Sequence, residues 1–411
     1  MTDSRWESRK ASHVLDIVVG GTPPTDRTEY YDGDIPWLTI ADLTSGDIIA
    51  PAKTLTPAGL AASGGRVLAP GTLLYSFKLS IGRTAFVETP VATNEAIAAI
   101  LPSSKIDLAY ARWALPGAFA DAAGTNIYGA KILNQEQLKA ARVPYPPMAQ
   151  QRQIADYLDY ETAEIDAFIA DLRCSAELAV ERTRALASTQ LDEAVRDASR
   201  VTILGHVIMV NEGQVDPSLE QFVDLPLIAP NHIESRTGRL LRLESAREQG
   251  ASSGKYQVRA GQVLYSKIRP ALMKATIAPC DALCAADMYA MDARESWLSN
   301  DYLLEFLLSD RFEQYAVTMS DRVAMPKLNR DTLAHAPISL PTLADQDRAV
   351  SSIHRARVAQ REAIADIDAA IALAKERRAA LITAAVTGQI DVTARRKPVV
   401  DSIQSSLVEA R

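Results

Sequence analysis

Residues 133–186, LNQEQLKAARVPYPPMAQQRQIADYLDYETAEIDAFIADLRCSAELAVERTRAL, have a second copy at 328–381, LNRDTLAHAPISLPTLADQDRAVSSIHRARVAQREAIADIDAAIALAKERRAAL. At a constant offset of 195, sixteen of 54 positions are identical without a gap, among them Leu133-Asn134, Pro146, Gln151, Ile169-Ala170-Asp171 and Glu181-Arg182. Upstream the offset becomes 190: Ile35-Pro36 meets Leu225-Pro226, and Gly71 to Ser76 meets Gly261 to Ser266. A long-period duplication decides how the rest of a chain is read. Two similar halves in one chain act as a covalent dimer with a built-in pseudo-two-fold axis.

The copied stretch is mostly helix. No Gly or Pro occurs between 148 and 204, and Leu158, Ile165, Leu172, Ala179 and Leu186 recur every seven residues, widened by Ile154, Ile169 and Ala176. That is the seam of a coiled coil. The second copy carries Val350, Ile353, Ile364, Ile367, Ile371, Ala374 and Leu381. Pro144, Pro146 and Pro147 precede the first helix and Pro341 the second, where proline can start a helix but not continue it, and Gly388 is placed to stop the second. A lone helix with one apolar stripe must bury it, and the partner at hand is the other copy, antiparallel to it. Leu158, Ile165, Leu172, Ile364, Ile367 and Ile371 are the expected seam residues.

The segments outside the helices read differently. Short apolar runs at 71–77, 84–87, 225–228 and 262–266 are bounded by Gly, Pro, Asp and Asn, as strands are. Helical patches intervene at 107–122 and 298–316. The expected fold is α+β, with domains at 1–148 and 197–342, long spacer helices at 149–196 and 343–392, and a polar tail at 393–411 expected to be disordered. The two domains then lie at opposite ends of an antiparallel helix pair.

Composition removes several classes. The 411 residues carry a net charge of −7, and residues 148–197 alone account for −6, so the two long globular segments are near neutral and can carry local basic faces. No run of about 18 apolar residues suggests a membrane span. The opening MTDSRWESRK lacks the apolar core of a secretion signal, so a cytoplasmic protein is expected. Cys174, Cys280 and Cys284 make no disulfide framework, and Cys280 and Cys284 lack a second ligand pair for zinc. No G-x-x-x-x-G-K-[ST] or G-x-G-x-x-G motif appears, and Gly20-Gly21 reads as a turn. Pro144-Tyr145-Pro146-Pro147 lacks the Asn that an amino-methyltransferase motif needs, and His13, His206, His232, His335 and His354 lack ligand spacing. The chain binds and positions; something else reacts.

Two unlike domains on a helical spacer suit two unlike half-sites on DNA, since two-fold proteins read half-sites set a fixed distance apart. Several stretches carry a family resemblance. These are Gly20-Gly21-Thr22-Pro23 with Ile35-Pro36-Trp37-Leu38, and Tyr265-Ser266-Lys267-Ile268-Arg269-Pro270 with Lys274. The helix entry Pro146-Pro147-Met148-Ala149-Gln150-Gln151-Arg152-Gln153-Ile154 and the close Ala384 to Asp391 complete the set. With the duplication and the domain order, the chain resembles the specificity subunit of a type I restriction-modification system over nearly its whole length. The resemblance implies a non-catalytic protein that binds double-stranded DNA, two methyltransferase subunits and two restriction subunits. On that reading the chain itself binds no cofactor, and S-adenosylmethionine, ATP and Mg belong to the partners. Each domain reads half of a bipartite site, and the helices set the gap.

Guanine readout needs Arg or Lys and adenine readout Asn or Gln, while phosphates take Lys, Arg, Ser, Thr and Tyr. The DNA-binding candidates in the first domain are Thr22, Tyr75, Ser76, Lys78, Arg83, Asn94 and Lys131. In the second they are Asn231, His232, Tyr265, Ser266, Lys267, Arg269, Lys274, Arg322 and Lys327. The duplicated Tyr-Ser is the sharpest pair, with core packing of the Tyr as the competing reading. A spacing of two puts Lys267 and Arg269 on one strand face, and Lys78 with Ser76. Asn134 and Asn329, being duplicated, read as caps or turns. Arg182 and Arg377 beside Glu181 and Glu376 are open between partner docking and solvated surface. A coiled-coil protein scaffold without DNA binding is the alternative, and salt-sensitive DNA binding separates the two. A methyltransferase fused to its own specificity module is disfavoured by the missing motifs.

Overall fold

The computed structural model describes residues 5–392, apart from 45–47, 49–50, 79, 126–130, 197, 199 and 321–325. The chain divides into two compact units, residues 1–171 with 370–411, and residues 172–369. Each unit holds one mixed lobe and a part of both long helices, so the helices are shared rather than separate. The expected tail, 393–411, lies outside the described residues.

The first long helix runs Met148–Val195 and the second Leu343–Thr387. Their length follows from the absence of helix breakers. The second ends where the sequence places a glycine: Gly388 has φ +75, its N–H donates to Ala385 O, and the Gln389 N–H reaches Ala384 O at 2.8 Å. This left-handed closure satisfies carbonyls the helix itself leaves open. A Cβ at Gly388 would also meet the Trp6 ring at 2.6 Å.

The lobe of the first unit is built on a four-stranded antiparallel sheet. Its spatial order is Asp16–Val19, Ile97–Leu101, Leu73–Ser76, Thr84–Phe86. The second lobe repeats the order with Ile208–Val210, Met288–Ala293, Val263–Ser266 and Ala275–Ile277. Each lobe adds a second sheet containing one parallel pair, Trp37-Leu38 with Ala92-Thr93 in the first and Leu227-Ile228 with Leu283-Cys284 in the second. These second sheets differ. The first is completed by Lys53–Leu55, whereas the second is extended through Lys255–Val258 to Gln214–Val215.

Behind the main sheet lies a helix, Leu108–Ala122, capped by the Asp107 carboxylate, which accepts from Ala109 N and Tyr110 N. In the second lobe two helices, Asn300–Leu307 and Asp310–Ser320, take this place, and Ser299 is the cap of the first. Asn134 and Asn329 each cap a short helix, Gln135–Ala140 and Arg330–Ala334, as their duplication suggests. The core of the first lobe, including Leu73, Tyr75, Tyr110, Leu115 and Phe119, closes on Ile154, Ala155 and Leu158 of the first long helix and on Ala385 and Val386 of the second. The second lobe, with Val263, Tyr265, Leu303 and Phe312, closes on Leu191, Ala349 and Ile353.

The apolar seam is therefore shorter than the heptads suggest. In the first unit Ile165 and Ile169 bury against Ala374, with Ile371 and Leu381 beside them, and Arg378 pairs with Asp166 at 3.0 Å. The helices run antiparallel there, because the earlier Ile154 shares its core with the later Val386. Leu158, expected in the seam, is wholly buried in the core of the first lobe. Leu172, Ile364 and Ile367 are half-buried.

Candidate nucleic-acid interface

In each lobe the central strand turns into its hairpin neighbour through a loop anchored on the last serine of the strand. Ser76 N donates to Arg83 O, while its hydroxyl donates to Ser80 O and accepts from Arg83 N at 2.9 Å. Ser266 N donates to Lys274 O, and its hydroxyl to Ile268 O at 3.1 Å. Both serines are buried, as are Tyr75 and Tyr265, which pack edge-on against Phe119 and Phe312 at 4.8 and 5.5 Å. Both phenol oxygens are buried without a hydrogen-bond partner among the described residues, and burial pushes their pKa above the ordinary tyrosine value. The structure thus places the duplicated Tyr-Ser inside the lobes, under the loops and away from solvent. A side chain pointing into the sheet core looks the same in sequence as one pointing out.

The cations that close the two loops are also turned inward, in parallel ways. The Arg83 guanidinium donates to Leu43 O at 2.9 Å and reaches Ile40 O at 3.5 Å. Lys274 Nζ donates to Pro230 O at 2.6 Å, from the equivalent position after the parallel strand. Each is a strut between the hairpin loop and the neighbouring segment.

What faces solvent is a smaller set. In the first lobe Lys78 is exposed next to the Phe77 ring, 5.9 Å from its centroid. Thr22 donates to the Glu95 carboxylate, and this bond, helped by the Lys78 charge, holds Glu95 below the usual carboxylate range. Asn94 sits beside them, its side-chain oxygen accepting from Ala96 N at 3.1 Å. The structure therefore gathers Thr22, Lys78, Asn94 and Glu95, and sequence reasoning missed Glu95 because its charge runs against phosphate binding.

In the second lobe the loop folds onto residues 326–328. Arg269 N donates to Pro326 O, Leu328 N to Lys267 O at 2.8 Å, and Ile268 bridges Lys327. Lys267, Arg269 and Lys327 are thereby brought together, with Arg269 and Lys327 exposed and the Lys267 ammonium 5.5 Å from the Tyr289 ring centroid. The expectation of one strand face for Lys267 and Arg269 is corrected: the strand ends at Ser266, and Arg269 is left-handed at φ +48. Lys78 likewise lies beyond the strand that ends at Ser76. Asn231 is exposed on the 3-10 turn Pro230–His232 that Lys274 braces. His232 is 1% exposed; its Nδ1 accepts from Ala229 N at 3.3 Å, and burial, then the Arg242 charge, lowers its basicity against the opposing Glu244. Arg322 lies outside the described residues, and of Lys131 only the backbone, in the short strand Lys131–Ile132, is described.

No helix among the described residues is long and apolar enough to cross a membrane. None of their His, Cys, Asp and Glu side chains gather in threes as a metal site requires.

Comparison with known proteins converges on this architecture. Residues 3–170 match the family described as type I restriction modification DNA specificity domain. Over 128 residues the chain is 36% identical to the specificity subunit of the Escherichia coli type I restriction enzyme EcoDI, covering 31% of this chain and 28% of that protein. Over 250 residues it is 23% identical to the MjaIX specificity subunit of Methanocaldococcus jannaschii, covering 56% and 58%. The matched stretches thus span less than two thirds of either relative. A chain from a solved structure concerned with complex assembly and conformational transition of the type I restriction-modification system superposes with a TM-score of 0.66 at 17% identity, covering 94% of this chain and 98% of that one. That likeness is one of fold. Over these matched stretches the chain is similar to type I restriction enzyme specificity subunits, and the specificity-domain match lies within its first 170 residues.

Proposed function

We propose that this chain is the DNA-reading, non-catalytic subunit of a type I restriction-modification complex. Each lobe reads one half of an asymmetric bipartite site, and the long helices set the gap and dock two methyltransferase subunits, which two restriction subunits join. S-adenosylmethionine, ATP and Mg are assigned to those partners. The observation that carries this reading is the pairing of one repeated scaffold with two unlike surfaces. Strand order, anchored serine and loop strut recur in both lobes, while the exposed groups on the loops differ.

A map of methylated adenines in host cells with and without the gene tests it. One bipartite motif with a fixed gap should lose its methylation when the gene is deleted. An unchanged map, with the methyltransferase partner expressed, defeats the reading in favour of a protein scaffold. At the residue level, Arg269→Ala should weaken binding to the half-site of the second lobe by about 1–3 kcal/mol if the guanidinium reads a base. Unchanged affinity at fixed salt would remove Arg269 from the interface.

A further inference from the structure

A chain of ion pairs joins the first long helix to the loop that carries Arg269, all within the 172–369 unit. Arg184, on the long helix, donates through Nε to Asp310 at 2.8 Å and through Nη2 to Glu313 at 3.1 Å. Both carboxylate oxygens of Glu313 are also held by the terminal nitrogens of Arg236, Nη1 on the Oε2 that Arg184 uses and Nη2 on Oε1. Arg236 in turn grips the loop by its own backbone and side chain: its N–H donates to Met273 O at 3.0 Å, and Nη2 reaches Ala271 O at 3.3 Å. A bidentate Arg–carboxylate pair fixes direction as well as distance. The two arginines hold the Glu313 carboxyl below its usual range, Arg236 contributing most.

The backbone points to the same place. Among the described residues only Asp32, Arg236, Arg269 and Met273 are non-glycine positions at positive φ. Three of the four belong to this one assembly. Such conformations persist where the surroundings over-determine them, and they concentrate at ligand clamps and switches. The arrangement is also particular to one half of the chain, because the duplicated position of Arg184 in the second long helix is Ala379.

Resting on the reading of this loop as part of the DNA interface, we propose that Arg236 and Glu313 are positioning residues for recognition by the second lobe. Together with Arg184 they fix the 267–273 loop from the long helix, so that the pose of Arg269 depends on groups that touch no DNA. The long helix and the half-site of the second lobe are thereby coupled.

The test uses the full-length chain co-expressed with its methyltransferase partner, and the duplex found by the methylation map. Two control duplexes have either the first or the second half scrambled. For Arg236→Ala and Glu313→Gln, discrimination against the duplex scrambled in the half read by the second lobe should fall about fivefold or more, the lower end of coupling between linked sites. Discrimination at the other half should not change. Hydrogen exchange on the same complexes should show faster exchange at residues 267–273 and the Arg236 amide, with strand 263–266 unchanged. Equal losses at both halves would overturn the proposal, as would faster exchange with discrimination intact. Should Arg236→Ala not fold, Arg184→Ala removes only a half-exposed helix side chain and must shift the same ratio in the same direction; no shift overturns the coupling. A wild-type complex indifferent to both scrambles defeats the DNA reading itself, and is told apart because every variant then starts from a ratio of one.

Discussion

Gln151 and Gln346 do the same thing in the two lobes, whereas the residues six places after the helix caps do opposite things. Gln151 is wholly buried; its amide donates to Pro146 O at 2.9 Å, and its carbonyl accepts from the N–H of the cap residue Asp107 at 2.9 Å. Gln346 donates to Pro341 O and Trp297 O and accepts from the N–H of the cap residue Ser299 at 3.0 Å. Each glutamine thus clamps the start of a long helix to the start of the lobe helix, and neither clamp could be replaced without orphaning buried backbone groups. Six residues beyond the caps, the first lobe presents Trp113 and the second Glu305. Trp113 donates to Asp159 of the first long helix at 2.9 Å and lies 5.6 Å from the Arg378 guanidinium of the second. Glu305, 6% exposed, is paired with Arg357, while its second oxygen has no hydrogen-bond partner among the described residues. The joint is common to both lobes; the contact beside it is an amphipathic ring in the first and a buried ion pair in the second.

The largest effect should come from breaking the pair. Arg357→Ala leaves the Glu305 carboxylate buried and uncompensated, and should destabilise the second lobe by about 3–5 kcal/mol. The double change Glu305→Leu with Arg357→Met should recover most of that, because an apolar pair needs no desolvation of charge. Lobe-resolved hydrogen exchange under denaturant reads both, and a double variant as unstable as the single one would show that the pair does more than hold the joint. The comparison sharpens with the clamps. Gln151→Ala and Gln346→Ala should each lower the stability of their own lobe by about 1–3 kcal/mol through unsatisfied carbonyls and N–H groups. Equal effects on both lobes from one substitution would mean that the lobes do not unfold separately.

The smallest effect is on pH and belongs to the second lobe. The folded state holds His232 below its ordinary value of 6.5, chiefly by burial. Protonation therefore favours the unfolded chain. The contribution of His232 is complete above about pH 6.5 and declines as pH falls through the lower folded value. A pH titration of lobe stability should show this loss in the wild type and not in His232→Gln, and a parallel pH response in both would assign the effect to other groups.

Much of this molecule is written locally. The freedom from Gly and Pro between 148 and 204 is enough for a helix of this length, and Gly388 for its end. Asn134 and Asn329 are caps because an Asn side chain can take a helix N–H that nothing else satisfies. The duplication carried the strand order of one lobe into the other. Tertiary packing decided what a period cannot state, namely which surface covers each face. Leu158 has heptad spacing, yet the lobe core reaches it before the other helix does. Tyr75 and Tyr265 face inward because their strands are covered on that side. Arg83 and Lys274 spend their charge on carbonyls 40 or more residues away in sequence. Gly20 and Gly21, which look like a turn, are instead places where a Cβ would strike Thr93 O at 1.9 Å and Ser63 O at 2.0 Å. The pose of Arg269 depends likewise on Pro326 and, through the loop, on Arg236 and Glu313. Helix, cap and stop are set by neighbours a few residues apart and so can be read along the chain; burial and long-range pairing are set by what the folded chain brings alongside.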